Sequence, residues 1–347
     1  MSERHINIPI FIPHMGCPNQ CVFCNQRTIS GVNEFSVSSV VPQIEGALST
    51  IDDTDTTVEI AFFGGSFTGI DYSLMCELLQ IAHSYIKNGK VESIRVSTRP
   101  DYINDVILDT LEKYGVKTIE LGLQSMDDNV LLASKRGHTS QNAIDACQKI
   151  VERGFYLVGQ MMIGLPSSTL ENEIYTAKKI VECGAKGARI YPTVVLQQTE
   201  LKDYCTCGIY EPLSVDGAVY RSKEVMKIFI DNNIDVIRIG LHASENLVSS
   251  ETYYAGPNHS ALGELVYGEL YYDIAYKALS ELSSSLDEKE VIISVPKGAV
   301  SKAVGQKKKN IIRLKQKFNL VDIKFVQDSK LADYQIKINL RTDNKCT

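Results

Sequence analysis

The chain has 347 residues, 44% of them hydrophobic and 22% charged, with a formal net charge of −6. This is the make-up of a soluble globular protein, and the length exceeds that of a usual single domain, so one large domain and one small one are expected. No apolar run approaches the ~20 residues of a membrane helix, and the start, MSERHINIPIFIP, lacks the apolar stretch and cleavage site of a signal peptide; no membrane partner and a cytoplasmic location follow as expectations.

The first predicted strand is INIPIFI, 6–12. It runs into PHMGCPNQCVFCNQ, which places Cys17, Cys21 and Cys24 in the spacing C-x3-C-x2-C. Nine cysteines without a secretory signal suggest a reducing compartment, where clustered thiols are metal ligands rather than disulfide halves. Two chemistries suit three thiolates this close. One is zinc completed by a fourth ligand such as His14. The other is an iron–sulfur cluster with one iron left without a cysteine.

Further strands follow at 58–64, 93–98, 118–124, 156–163, 187–195 and 235–241. Helical patterns lie between them, near 38–50, 72–87, 102–113, 140–152, 170–183 and 215–232. Short apolar strands alternating with helices mean βαβ units and a parallel sheet. Six or seven units fit a partial or complete parallel (β/α) barrel, and no G-x-G-x-x-G follows the first strand to suggest a dinucleotide fold. In such barrels the chemistry sits at the strand C-termini. Gly64, Gly65 and Ser66 fall there after the second strand, Arg99 after the third and Gln124 at the end of the fourth.

Near residue 266 the pattern changes to a small α+β unit: a helix at 266–284, a strand at 290–296, the turn GQKKKN at 305–310, a second helix, and strands at 321–327 and 334–340. The expected domains are therefore 1–265 and 266–347. From Lys289 onward there are 14 Lys/Arg and 5 Asp/Glu, a net of +9 that leaves −15 for the preceding residues. A basic tail on an acidic body points to a polyanion partner for the tail.

The cysteine spacing at the end of a first barrel strand resembles the signature of radical S-adenosylmethionine (SAM) enzymes. FFGGSF (62–67) resembles the glycine motif of that superfamily. STRPDYI, IELGLQS, SKRGHT, IGLP and RIYPTVVLQQTEL are similar, over about residues 5–205, to the radical SAM part of the Elongator catalytic subunit and its prokaryotic relatives. The cysteine spacing is shorter than in the Elongator subunit, and the roughly 80 residues after the barrel lack a glycine-rich acetyl-CoA loop, so no acetyltransferase domain is expected in this sequence.

The resemblance implies an enzyme that uses a [4Fe–4S] cluster held by Cys17, Cys21 and Cys24 to cleave SAM and generate a 5′-deoxyadenosyl radical, with tRNA modification as the expected task. It implies that Gly64, Gly65, Ser66, Gln124 and Arg136 bind SAM, Arg136 through its carboxylate. It also implies an electron donor of the flavodoxin or ferredoxin type. The order strand, helix, glycine turn, helix, strand at 295–326 is similar to a KH RNA-binding domain. Gly305, Lys307, Lys308 and Lys309 are then the expected RNA contacts, with lysine standing where a G-x-x-G loop has its second glycine. Two other readings stay open: a radical SAM enzyme acting on a small substrate such as a tetrapyrrole, and a zinc-stabilised RNA-binding adaptor without enzymatic activity.

Overall fold

The structure is a computed structural model that describes residues 4–12, 17, 21–25, 35–51, 56–241, 249, 251–282 and 286–341. The chain divides into two compact units, Met1–Ser214 with Glu224–Asn258, and Val215–Lys223 with His259–Thr347.

The first unit is built from β1 (Arg4–Ile12), α1 (Val40–Leu48), β2 (Thr56–Gly64), α2 (Tyr72–Lys87), β3 (Ser93–Thr98), α3 (Asp105–Lys113), β4 (Val116–Gln124), the short α4 (Asp128–Ala133), α5 (Ser140–Glu152), β5 (Tyr156–Ile163), α6 (Leu170–Glu182) and β6 (Gly187–Pro192). A two-residue β7 (Val195–Leu196), α7 (Glu200–Thr206), α8 (Val215–Asp231, whose first part, Val215–Lys223, belongs to the second unit), β8 (Asp235–Ile239) and β9 (Tyr253–Ala255) follow. Seven strands pair side by side in the order β1-β2-β3-β4-β5-β6-β8, every pair parallel. Among the described residues β1 and β8 do not pair, so the sheet is a partial barrel.

Local sequence sets the helix starts. Asp71 and Asn104 accept the backbone N–H of Leu74 and Ile107, and Thr139 and Thr169 each form a capping box with an asparagine three residues on. Each cap satisfies N–H groups that the first turn leaves without a partner. The alternation of each strand then divides its side chains between two faces. Ile8, Ile10, Ile60, Phe62, Ile94, Val96, Ile119, Leu121 and Met161 are buried. Gly159 shows how tightly strand and helix layers pack: a Cβ there would lie 2.7 Å from Ile180 of α6.

The other face of the sheet is charged. Glu59, Arg95, Glu120 and Arg189 are all buried, one each on β2, β3, β4 and β6. Arg95 pairs with Glu59 at 2.7 Å and with Glu120 at 3.0 Å, and Arg189 reaches Glu120 at 2.8 Å. Burial alone would push Glu59 up; Arg95, the Ser93 hydroxyl and His5 outweigh it and hold the carboxyl below its usual range. The barrel interior is thus an alternating-sign ion chain rather than the apolar plug that branched side chains would make.

The second unit contains α9 (Leu262–Glu281), β10 (Glu290–Val295), α10 (Val300–Val304), α11 (Lys309–Phe318), β11 (Asp322–Gln327) and β12 (Lys337–Arg341). Its sheet has the order β11-β10-β12, with β10 parallel to β11 and antiparallel to β12. Tyr271, Leu279, Val291, Ile293, Leu314, Ile323 and Phe325 form its core. The α9 helix begins at Leu262, four residues before the sequence pattern places it.

Candidate active site

One cavity of about 600 Å³ opens at the C-terminal ends of the barrel strands. Cys17, Cys21, Phe23, Cys24, Gly64, Gly65, Arg99, Gln124 and Arg136 all line it. Residues from the cysteine segment, the ends of β2, β3 and β4, and the segment after α4 thus meet in one place.

The cysteine segment is sewn down by its backbone. Val22 donates its N–H to the Ser134 carbonyl and accepts from Leu201, and its side chain packs with Val195 and Leu201. Phe23 packs partly buried against this same cluster. Cys21 is buried, and Cys17 and Cys24 are half-buried. Among the described residues no group of three or more His, Cys, Asp or Glu stands ready to hold a single metal ion, and His14 lies outside those residues. A multi-iron cluster makes a different demand, because each thiolate serves its own iron and the sulfurs stand apart.

Cations face these thiols. Arg136 Nη1 donates to Cys21 Sγ at 3.4 Å, and Nη2 donates to the Gly122 carbonyl at 2.6 Å. Burial pushes the Cys17 thiol up, against the pull of Arg99 and Arg136 in the opposite direction. Arg99 is itself only 1% exposed; it grips Asp101 through Nε and Nη2, each at 2.9 Å, and the Arg136 carbonyl at 2.7 Å. Beside them His138 is pushed down to about 3 by burial, then by Arg136 and Arg99, so its imidazole is neutral near pH 7.

Gly64 has a structural duty of its own. Its φ is +129°, and a Cβ there would lie 2.2 Å from the Ile12 carbonyl oxygen. The close approach that demands glycine at this position is therefore to β1. Ser66 does not line the cavity: its hydroxyl shares a 2.8 Å hydrogen bond with Thr98 and accepts the Arg99 N–H at 3.3 Å. It clasps the loop after β2 to that after β3. Gln124, with φ of +67°, is bent out of regular strand geometry at the cavity edge.

On the residues that line the cavity, three buried polar atoms have no hydrogen-bond partner among the described residues: Arg99 Nη1, Arg136 Nε and Gln124 Oε1. Such atoms are costly unless something meets them. Two donors and an acceptor beside three thiols fit a polar, anionic group with donors of its own, as the amino-acid end of SAM would be.

Sequence patterning left out Ser97, Gly122, Gln160 and the rim Gln198–Glu200, all of which line the cavity. Alternation carries the signal for the first two, since Ser97 lies two residues from Arg95 on β3 and Gly122 two from Glu120 on β4; Gln160 joins them only through the sheet register that sets it opposite Gly122. The rim segment is held by Lys135, which pairs with Glu200 at 2.5 Å.

In the second unit, Gly305 has a φ of +73° and a Cβ there would crowd Asn310, whose amide bonds the carbonyls of Gly268 and Ala303. Lys307 and Lys308 both have left-handed φ values, 52° and 60°, and are exposed. Lys309 pairs with Glu269 at 3.0 Å, a carboxylate it shares with Arg313.

Domain matches agree with this architecture. Residues 11–180 match the Radical SAM superfamily and residues 185–272 the Radical_SAM C-terminal domain. Consecutive matches over most of the chain place it in the radical SAM superfamily, a family of enzymes. More particularly, it is similar to Elongator complex protein 3 of Dictyostelium discoideum, 32% identical over 142 residues, covering 40% of this chain and 25% of that protein. It is also similar to a tRNA uridine(34) acetyltransferase of Methanocaldococcus jannaschii, 28% identical over 206 residues, covering 58% of this chain and 36% of the relative. The chain thus spans about a quarter to a third of the length of these curated relatives. Among solved structures, the archaeal Methanocaldococcus infernus Elp3 with an N-terminal deletion superposes with a TM-score of 0.60 at 19% identity, over 81% of this chain and 64% of that one. At that identity the likeness speaks for the fold. No described helix is long and apolar enough to cross a membrane.

Proposed function

We propose that this chain is a radical SAM enzyme that modifies RNA, with tRNA as its substrate. One observation carries the reading: Cys17, Cys21 and Cys24 line the same cavity as Gly64, Gly65, Gln124 and Arg136, beside buried polar atoms that lack partners. In this reading the three thiolates hold a [4Fe–4S] cluster, and Gly64, Gly65, Gln124 and Arg136 hold SAM while Ser66 braces the loop. When bound, cluster and SAM together supply reductive carbon–sulfur cleavage and a radical able to abstract hydrogen.

The chain's own residues do the rest. The guanidiniums of Arg99 and Arg136 pull Cys17 toward the thiolate that a cluster requires, against a burial that on balance leaves the thiol raised. Arg136 touches both Cys21 and the Gly122 carbonyl, so one side chain ties the cysteine segment to the end of β4. The Ser134 and Leu201 hydrogen bonds to Val22 hold that segment over the strands. His138, being neutral, adds no charge of its own beside the two arginines.

RNA as partner is supported by the similarity to a tRNA uridine(34) acetyltransferase and by the +9 charge from Lys289 onward. Exposed Lys307 and Lys308 on a glycine turn suit phosphate contacts. A flavodoxin- or ferredoxin-type donor would supply electrons, and the enzyme would work in the cytoplasm. The test is anaerobic purification and reconstitution followed by iron analysis and assay of SAM cleavage, with a comparison of tRNA nucleosides from cells with and without the gene. Roughly four irons per chain and the loss of one modified nucleoside are expected. Stoichiometric zinc without iron would favour the adaptor reading instead.

A further inference from the structure

Two cysteines away from the cavity are set against each other. Cys147 lies in α5 and is 0% exposed; Cys183 caps the C-terminal end of α6 and is half-buried. Packing brings the two helices together at this level. Val151 lies one turn beyond Cys147 on the same face of α5. A Cβ at Gly184, the residue after Cys183, would lie 3.5 Å from both Val151 methyl groups. The two thiols meet beside that contact, and the hydrogen bond between them pushes Cys147 up and Cys183 down. Cys147 therefore keeps its proton and offers it to Cys183. Lys179, one turn back on α6, also pulls Cys183 toward the thiolate, while burial and Glu182 oppose it.

Both thiols are free. Among the described residues no group of three or more His, Cys, Asp or Glu could hold a metal ion, so the pair is not the start of a metal site. Packing alone asks only for one small apolar side chain in α5. The arrangement adds a more accessible thiol drawn toward the thiolate, with a second thiol behind it within reach. An attacking sulfur needs thiolate character and access, whereas the sulfur that completes the exchange needs proximity. The two roles fall on different residues.

We propose that Cys147 and Cys183 are a redox modification site that reacts with a low-molecular-weight disulfide and closes into a bond between α5 and α6. The Cys183 thiolate attacks one sulfur of the oxidant, forming a mixed disulfide and releasing one thiolate. The Cys147 sulfur then attacks Cys183 Sγ, gives its proton to solvent and releases the second thiolate. The pair loses two electrons and two protons, and the oxidant becomes two thiols. In a reducing compartment the pair stays open, and its closure registers a rise in oxidant. The bond would join two helices that serve the cavity: α5 follows the segment of Arg136 and His138, and Thr176 of α6 accepts the N–H of Met126, two residues past Gln124, at 3.0 Å. The reaction uses none of Cys17, Cys21 and Cys24.

The test treats the anaerobically purified full-length chain with oxidised glutathione, blocks the remaining thiols with iodoacetamide and maps the peptides by mass spectrometry. The parent is compared with Cys147→Ala and Cys183→Ala, and iron content and circular dichroism report whether each variant is intact. In the parent a peptide cross-linked through Cys147 and Cys183 should form, and dithiothreitol should remove it. In Cys147→Ala the reaction should stop with glutathione on Cys183. In Cys183→Ala, Cys147 should react at least about tenfold more slowly than Cys183 does in the parent, because it is buried and keeps its proton. If Cys147→Ala does not fold, the parent and Cys183→Ala decide. A parent in which glutathione stays on Cys183 overturns the pair, as does one in which the exposed Cys207 reacts while Cys147 and Cys183 both remain free. Undiminished reaction of Cys147 in Cys183→Ala overturns the division of roles.

Discussion

Replacing Glu120 by leucine tests the ion chain that fills the barrel interior. Its carboxylate is 0% exposed and accepts from Arg95 Nη1 at 3.0 Å, from Arg189 Nη2 at 2.8 Å and from Gln160 Nε2 at 2.8 Å. Arg95 would keep Glu59 as a partner, but Arg189 would keep no carboxylate among the pairs seen here. A buried cation left unpaired costs about 3–5 kcal/mol, far more than the intact pair is worth over an apolar replacement. Arg189→Leu should cost less, because Glu120 retains Arg95 and Gln160. The double variant Glu120→Leu/Arg189→Leu removes both charges together and should be more stable than the sum of the singles by about 0.5–3 kcal/mol. Urea unfolding of the purified chain and its variants, followed by the barrel's circular dichroism, completes the cycle. Strict additivity, or a loss below about 1 kcal/mol for Glu120→Leu, would refute the claim that these charges depend on one another.

Alanine in place of Cys17, Cys21 or Cys24 should abolish iron retention after anaerobic reconstitution; a full complement of iron in any of the three would remove that thiol from the site. Arg136→Lys should weaken SAM binding by about 1.5–3 kcal/mol, because a point ammonium cannot serve Cys21, Gly122 and a carboxylate at once; titration of SAM into the reconstituted variant with unchanged affinity would exclude the role. Lys307→Asn/Lys308→Asn removes two charges while keeping a residue that tolerates left-handed backbone, and the log–log salt slope of tRNA binding should flatten by roughly 1.4, about 0.7 per phosphate contact; an unchanged slope would make the turn a solvated face. For His138, depressed to about 3, the unfolded chain takes up a proton below about pH 6.5 and the folded chain does not. Stability should therefore fall as pH drops from about 6.5 toward 3, by up to roughly 1.4 kcal/mol per pH unit, and His138→Asn should flatten the upper part of that decline; an equal slope between about pH 6.5 and 5 in parent and variant would show that another group titrates there.

The strands and helices of the barrel were legible because each carries its own period. The pattern places helices at 72–87 and 140–152, and α2 and α5 occupy those same residues. Long amphipathic segments with Asp, Asn or Thr caps need no tertiary information to declare themselves. Short elements do: α4 has six residues and α7 seven, too few turns for a hydrophobic stripe to repeat, and both escape the pattern. The same limit explains the predicted strand at 187–195, which ends at Pro192 and resumes as β7 paired with the distant β9. Only the fold brings that partner within reach.

Site residues divide along a similar line. Cysteines, glycine pairs and arginines in recurrent motifs announce themselves by type and spacing, so the cavity's cysteine side could be anticipated. Ser66 shows the limit, because a polar residue in a motif can serve the loop rather than the ligand. The ion chain could be read only in retrospect. Glu59, Arg95, Glu120 and Arg189 each interrupt an otherwise apolar strand, and taken singly each invites an assignment to solvent. Their meaning depends on strand order. Once β2, β3, β4 and β6 take their places in one sheet, the signs run minus, plus, minus, plus, with β5 supplying the neutral Gln160 between the last two. A chain of alternating charges uses each member to neutralise the next, so it holds polar groups in the interior without offering net charge to a ligand. That is the physical reason to look for phosphate contacts on other residues, such as the exposed lysines of the basic unit.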